Sequence, residues 1–113
     1  MRAMTCIYIK MLPDEQDVVR GMIHDFYGTD PDMGEINDDK ISRTFEEFSR
    51  YPEKGSIFVA KNENKIVGYA ILANFWSNEA GGNILDIDEL FIEENERGKG
   101  IGTSFIKYLI ENK

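Results

Sequence analysis

Arg97-Gly98-Lys99-Gly100-Ile101-Gly102 interleaves three glycines with two cationic side chains, in a chain that is otherwise strongly acidic. The stretch lies between a strand-like run, "NILDIDELFI", and an amphipathic segment that opens at Ile101. The first turn of a helix presents unpaired N–H groups and a positive dipole end, which together attract phosphate. Glycines let a backbone close on such a ligand with no Cβ in the way. The familiar phosphate motifs fail on spacing. A P-loop needs Gly-Lys followed by Ser or Thr, and here Gly98-Lys99 is followed by Gly100. The dinucleotide pattern needs a glycine at position 103, which is Thr103. The alternative is a loop whose glycines only make a turn. Alternating glycines flanked by bases at a strand-to-helix junction favour the phosphate reading.

The elements that must carry this loop follow from periodicity. Thr5 to Met11 is short, apolar and rich in β-branched and aromatic residues, as a strand should be. Pro13-Asp14-Glu15 begins a helix, with Val18, Val19, Met22, Ile23 and Phe26 at helical spacing and Gly28 at its end. An acidic loop follows, and a second helix over about Asp39 to Arg50 buries Ile41, Phe45 and Phe48. Ser56 to Lys61 and Lys65 to Phe75 form a hairpin around Asn62-Glu63-Asn64. Glu79 to Gly82 connects to a fourth strand, Asn83 to Ile92. The last helix should bury Ile101, Phe105, Ile106, Leu109 and Ile110. The order is β-α-α-β-β-β-α.

A length of 113 residues is expected to make one domain, and a 42% hydrophobic content supplies its core. No apolar run reaches the length of a membrane span, and "MRAMTCIYIK" has no signal-peptide pattern. The lone Cys6 excludes an internal disulfide framework, so a cytoplasmic protein is expected. A net charge of −8 argues against general nucleic-acid binding. Cys6 and His24 make no ligand cluster, so no metal is expected.

"RGKGIG" resembles the R-x-x-G-x-G signature of the GNAT-type N-acetyltransferases, through Arg97, Gly100 and Gly102. "IDELFIEENE" is similar to that family's fourth strand and the loop after it, and "KIVGYAIL" to its third strand. The resemblance implies an α/β fold with a mixed, mainly antiparallel sheet flanked by helices. It implies transfer of acetyl from acetyl-CoA to a primary amine, and a weaker likeness points to polyamines and other small amines. The pyrophosphate of acetyl-CoA would sit on Gly98, Lys99, Gly100, Ile101, Gly102 and Thr103, with Arg97 shaping the loop. The pantetheine arm would pair with the backbone of Leu90, Phe91 and Ile92.

In this family the amine must lose a proton before it attacks, and a carboxylate can take it. Strict alternation puts Asp86 and Asp88 on one face of the fourth strand, and Glu89 on the other with Leu85, Ile87 and Phe91. The family's usual bulge here would disturb that count. Asp88 matches the position of a substrate-facing acid, and Glu89 is the alternative base, set among apolar neighbours. Tyr27 and Trp76 are candidate walls of the acceptor pocket.

After Gly102 only 11 residues remain, so the chain resembles the first two-thirds of the family fold. The family's general acid is a tyrosine beyond that point, and Tyr108 lies in the wrong element to replace it. The fourth strand is expected to have an unpaired edge, and Ile101, Phe105, Ile106 and Leu109 an incompletely covered face. Self-association, most simply as a homodimer, is the expected consequence.

Overall fold

The computed structural model describes residues 6–30 and 32–112. The chain runs β1 (Cys6–Lys10), a 3-10 turn (Pro13–Glu15), α1 (Gln16–Gly28), α2 (Asp38–Arg50), β2 (Gly55–Asn62), β3 (Lys65–Ser77), β4 (Gly82–Ile92), a second 3-10 turn (Glu94–Glu96) and α3 (Ile101–Glu111). This is the expected order. Thr5 lies outside the described residues, and Met11 leaves the strand but still donates its N–H to Ile57 O at 2.9 Å.

Among the described residues the strands form one antiparallel sheet in the order β1-β2-β3-β4. The β2–β3 turn holds Glu63 and Asn64 at φ of 53° and 69°, the mirror-image turn that suits a two-residue hairpin. Val19, Met22 and Ile23 of α1, with Ile41 and Phe45 of α2, pack on Ile57, Val59, Tyr69, Ile71 and Phe91. Ile101, Phe105 and Leu109 of α3 cover the opposite face, on Ala60, Val67, Ala70, Leu72 and Ile92. The result is three layers, helix, sheet and helix.

Two apolar stripes are narrower than periodicity predicts. Val18 is exposed at the start of α1, and Ile106 and Ile110 are exposed on α3. A single sheet face reaches only about one third of a helix's circumference, so residues one step round from the stripe meet solvent. Of the face expected to be incompletely covered, Ile101, Phe105 and Leu109 are buried and Ile106 is exposed.

Two glycines let neighbouring elements close together. A Cβ on Gly55 would stand 2.4 Å from Leu72 O and 2.6 Å from the Phe48 ring. A Cβ on Gly68 would stand 2.4 Å from Phe91 O and 2.7 Å from Ile92 Cδ1. Because the first obstacle at Gly68 is backbone, Gly68→Ala should cost about 2–3 kcal/mol, at the upper end of overpacking penalties. Gly82→Ala is the control, since a Cβ there meets nothing within 4 Å. Urea denaturation of both variants checks this, and equal midpoints would show that β3 and β4 separate without cost.

Candidate active site

β4 carries the acids, and its pairing decides where each one goes. Ile71 faces Glu89 and Leu72 faces Ile87, so Asp88 is an extra residue with no partner on β3. This bulge changes the phase of the strand. Leu85, Ile87 and Leu90 pack toward α3, whereas Phe91 packs toward α1. Glu89 therefore shares a face with Phe91 as expected, but not with Leu85 and Ile87. Strict alternation is corrected by one inserted residue. Asp86 and Asp88 are both exposed.

Glu89 is half-buried and is held from two sides. The Tyr27 hydroxyl, from the last turn of α1, donates to Glu89 Oε2 at 2.5 Å. The Tyr69 hydroxyl, from β3, donates to Glu89 Oε1 at 2.8 Å. Phe26, Tyr69 and Phe91 surround the cluster with ring centroids 5.8–6.4 Å apart. Burial, together with the bonded Glu89 carboxylate, pushes both phenols well above their ordinary value of 10. Tyr69 did not stand out in the sequence. The available signal was a tyrosine in phase with buried Ile71, since a buried phenol needs a partner for its hydroxyl.

The glycine-rich loop follows β4. Gly98 and Gly100 both have φ of 81°, a left-handed conformation that glycine adopts without strain. A Cβ on either would point into open space. Ser104 N bonds Gly100 O at 3.0 Å, so α3 begins there, and no side chain caps it. Ile101, Gly102 and Thr103 thus carry the N–H groups of the first turn, which have no intrahelical acceptor. α3 has no acid in that turn, whereas α2 has Asp38 and Asp39. Arg97 anchors the loop, its Nε donating to Ile92 O at 2.8 Å and its guanidinium lying 5.6 Å from the Phe91 ring centre. Lys99 pairs with Glu96 at 3.3 Å. Between the loop and the C-terminal half of α1 lies an open cleft of about 790 Å³, lined by Asp25, Thr29, Phe91, Glu93, Glu94 and Arg97 among others.

The model described as the acetyltransferase (GNAT) family matches residues 17–112. The chain belongs to the GNAT acetyltransferase family. A comparison with curated protein sequences finds no match. Solved GNAT-like structures share the fold. An integron cassette protein from the mobile metagenome of Cole Harbour Salt Marsh is 24% identical with a TM-score of 0.83, over 92% of this chain and 67% of that one. A possible acetyltransferase from Clostridium difficile 630 is 19% identical with a TM-score of 0.80, over 94% and 69%. A ribosomal-protein-alanine N-acetyltransferase from Brucella melitensis biovar Abortus 2308 is 13% identical with a TM-score of 0.75, over 95% and 70%. This GNAT chain therefore spans about two thirds of each neighbour's length.

Of the sequence candidates, the structure brings Tyr27 to Glu89, and Arg97 to Phe91 and Ile92. Leu90, Phe91 and Ile92 pair with Ala70, Tyr69 and Gly68 along one edge of β4. Among the described residues no strand pairs with the other edge. Trp76 stands apart from Tyr27. It is 66% exposed and pairs with Asn83 near the hairpin tip, roughly 16 Å of strand beyond Ile71. His24 bonds Asp38 at 2.7 Å, joining α1 to α2. Tyr108 lies on the α3 side, near Tyr8 and Phe58. Among the described residues no group of three His, Cys, Asp or Glu could hold a metal, and no helix is long and apolar enough to cross a membrane.

The phenol pair makes a prediction in alkali. A pKa raised on folding contributes stability that is complete below the unfolded value and is lost as pH rises through the folded one. Tyr27 and Tyr69 should therefore stay protonated above pH 10 and destabilise the fold as they ionise. Phenolate absorbance of Tyr27→Phe and Tyr69→Phe, titrated against the parent, should lose amplitude only in the highest-pH part of the curve. Loss of amplitude near pH 10 would mean that the carboxylate does not hold these hydroxyls.

Proposed function

We propose that this chain binds acetyl-CoA at the Arg97 to Thr103 loop and transfers its acetyl group to a primary amine of a small molecule such as a polyamine. The observation that carries the reading is the open first turn of α3. Its N–H groups follow two left-handed glycines, with no capping side chain and no acid to compete for them. That arrangement suits a pyrophosphate. The free edge of β4 suits an amide-bearing arm, which can pair with Leu90, Phe91 and Ile92 as a strand would. A net charge of −8 suits a cationic acceptor.

In this reading Asp88 takes the proton from the ammonium. The freed amine attacks the thioester carbonyl, the C–N bond forms, the C–S bond breaks, and the CoA thiolate leaves to be protonated. A backbone N–H of β4 stabilises the oxyanion. Tyr108 does not supply the thiolate's proton, because it lies across the sheet. That placement favours a second reading, a CoA-binding module without turnover. An acetyl-CoA assay with a panel of polyamines and other amines, beside a direct CoA titration, separates the two. Turnover supports the transferase, and binding without turnover supports the module.

Two substitutions test the assignment. Gly100→Val places a branched side chain in the open space before α3, so CoA affinity should fall at least about tenfold, or about 1.4 kcal/mol. Gly81→Val imposes similar strain at φ of 67° in the distant β3–β4 turn and should leave affinity unchanged. Equal affinity in a folded Gly100→Val protein would move the phosphate site elsewhere. Asp88→Asn should lower kcat by about 10²-fold or more, the usual worth of a general base, with CoA affinity within about twofold. An active enzyme indifferent to Asp88→Asn would remove Asp88 from the reaction.

A further inference from the structure

We propose that Glu89, Tyr27 and Tyr69 are positioning residues, and that Glu89 is an anchored anion that holds the β4 bulge so that Asp88 faces the acceptor. This rests on the acetyl-transfer reading for its catalytic part, but the anchor itself is a matter of hydrogen bonds. Glu89 has one phenol on each oxygen, at 2.5 Å and 2.8 Å. To act as the base it would have to take a proton there. Its new O–H would then face a phenol that is itself a donor, and one hydroxyl would have to turn away. Tyr69 is fully buried, and no buried side-chain polar atom among the described residues lacks a partner in the present arrangement. Protonation at Oε1 would create one, because the buried Tyr69 hydroxyl would lose its acceptor, at the cost of a desolvated polar group. Raised phenol pKa values act in the same direction, keeping both tyrosines as donors.

The bulge supplies the reason for an anchor. A residue inserted into a ladder has no partner to fix it. Asp88 is that residue, and Glu89 directly follows it. Through its two oxygens Glu89 ties β4 to the last turn of α1 and to the middle of β3. Slippage of the bulge by one residue would take Glu89 off the α1 face and break both bonds. Asp88, exposed and with no hydrogen bond from a described residue, keeps a carboxylate free to accept a proton. The charged or titratable groups facing this site are Tyr27 from α1, Tyr69 from β3 and Asp88 from β4.

The test compares Glu89→Gln, Glu89→Ala, Tyr27→Phe, Tyr69→Phe and Asp88→Asn by kcat, by KM for acetyl-CoA and by the pH profile of kcat/KM. A glutamine can keep its oxygen on the buried Tyr69 hydroxyl and turn its amide to Tyr27, which is only half-buried and can point its hydroxyl to solvent. Glu89→Gln should therefore retain kcat within about fivefold and keep the profile's basic-group limb, whereas Glu89→Ala should lose about 10²-fold, as a displaced reacting group does. Each Tyr→Phe should lower kcat about tenfold with KM for acetyl-CoA nearly unchanged. Asp88→Asn should abolish the limb. If Glu89→Gln abolishes it instead, Glu89 is the base and the proposal falls. Amide NMR of the same proteins reads the anchor without turnover. The Ile87 and Asp88 amides should shift in Tyr27→Phe and Tyr69→Phe but not in Tyr51→Phe. If the protein acetylates no amine, the transferase reading fails while shifted amides still support the anchor. Unshifted amides overturn the anchor whatever the kinetics show.

Discussion

One inserted residue in β4 sets the arrangement of everything that could do chemistry. A strand alternates between faces, so an acid and the apolar residues that pack on α3 cannot change roles without a change of phase. The bulge at Asp88 makes that change. It lets Leu85, Ile87, Leu90 and Ile92 all serve the α3 core while Glu89 and Phe91 serve the α1 core. Without it, either Glu89 would enter the α3 core beside Phe105 or Leu90 would leave that core. A lone carboxylate among Phe105, Leu109 and Leu72 would be far costlier than one among phenols, because hydroxyl donors replace the water it loses. Position and solvation of the carboxylate are thus the same fact.

A similar exchange of water for donors appears at the other end of the sheet. Glu15 is buried, with Lys61 Nζ at 2.5 Å and the Leu12 N–H at 2.8 Å. Burial alone would raise its pKa, but the bonds from Lys61 and Leu12 outweigh it and hold the carboxyl below the ordinary value of 4.5. That pair closes the 3-10 turn onto β2 and fixes where α1 starts, and hence where Tyr27 arrives. Around the rim the ion pairs are of another kind. Arg43–Asp39 and Arg50–Glu46 are exposed helical pairs that contribute only about 0.3–0.5 kcal/mol each. The acidic surplus is therefore mostly solvated, and α1 and α2 are held by their apolar faces.

The order of elements was readable because each one has a single clear period and a stop signal. Gly28 closes α1, Asn37 caps α2 through Lys40 N, and Gly98 and Gly100 precede α3. What local pattern could not give was whatever depends on the partner of a residue. Val18, Ile106 and Ile110 have the spacing of buried residues, but the flat sheet reaches only their neighbours. Leu85 and Ile87 looked like company for Glu89 until the pairing with Leu72 put Ile87 on the other face. Trp76 read as a pocket wall, and distance along the hairpin separates it from Tyr27. Tyr69 was invisible for the opposite reason. Its role is a hydrogen bond 20 residues along the chain, which no periodicity reports.

β4 also joins the carboxylate to the phosphate-type loop, and the joint is stiff. Gly68 brings β3 against Phe91 and Ile92, and Glu93 N bonds Val67 O at 2.8 Å just past the strand. Arg97 then folds back to Ile92 O and lies over Phe91, the ring that also borders Tyr69. On the opposite face Ile101 and Phe105 pack with Ile92, and Phe105 stacks on Tyr8 at 4.8 Å. The first turn of α3 is thus fixed to the same three residues of β4 whose free edge runs toward Glu89. A ligand that spans from that helix end to the bulge would meet a surface already set in place, and would lose little affinity to ordering it.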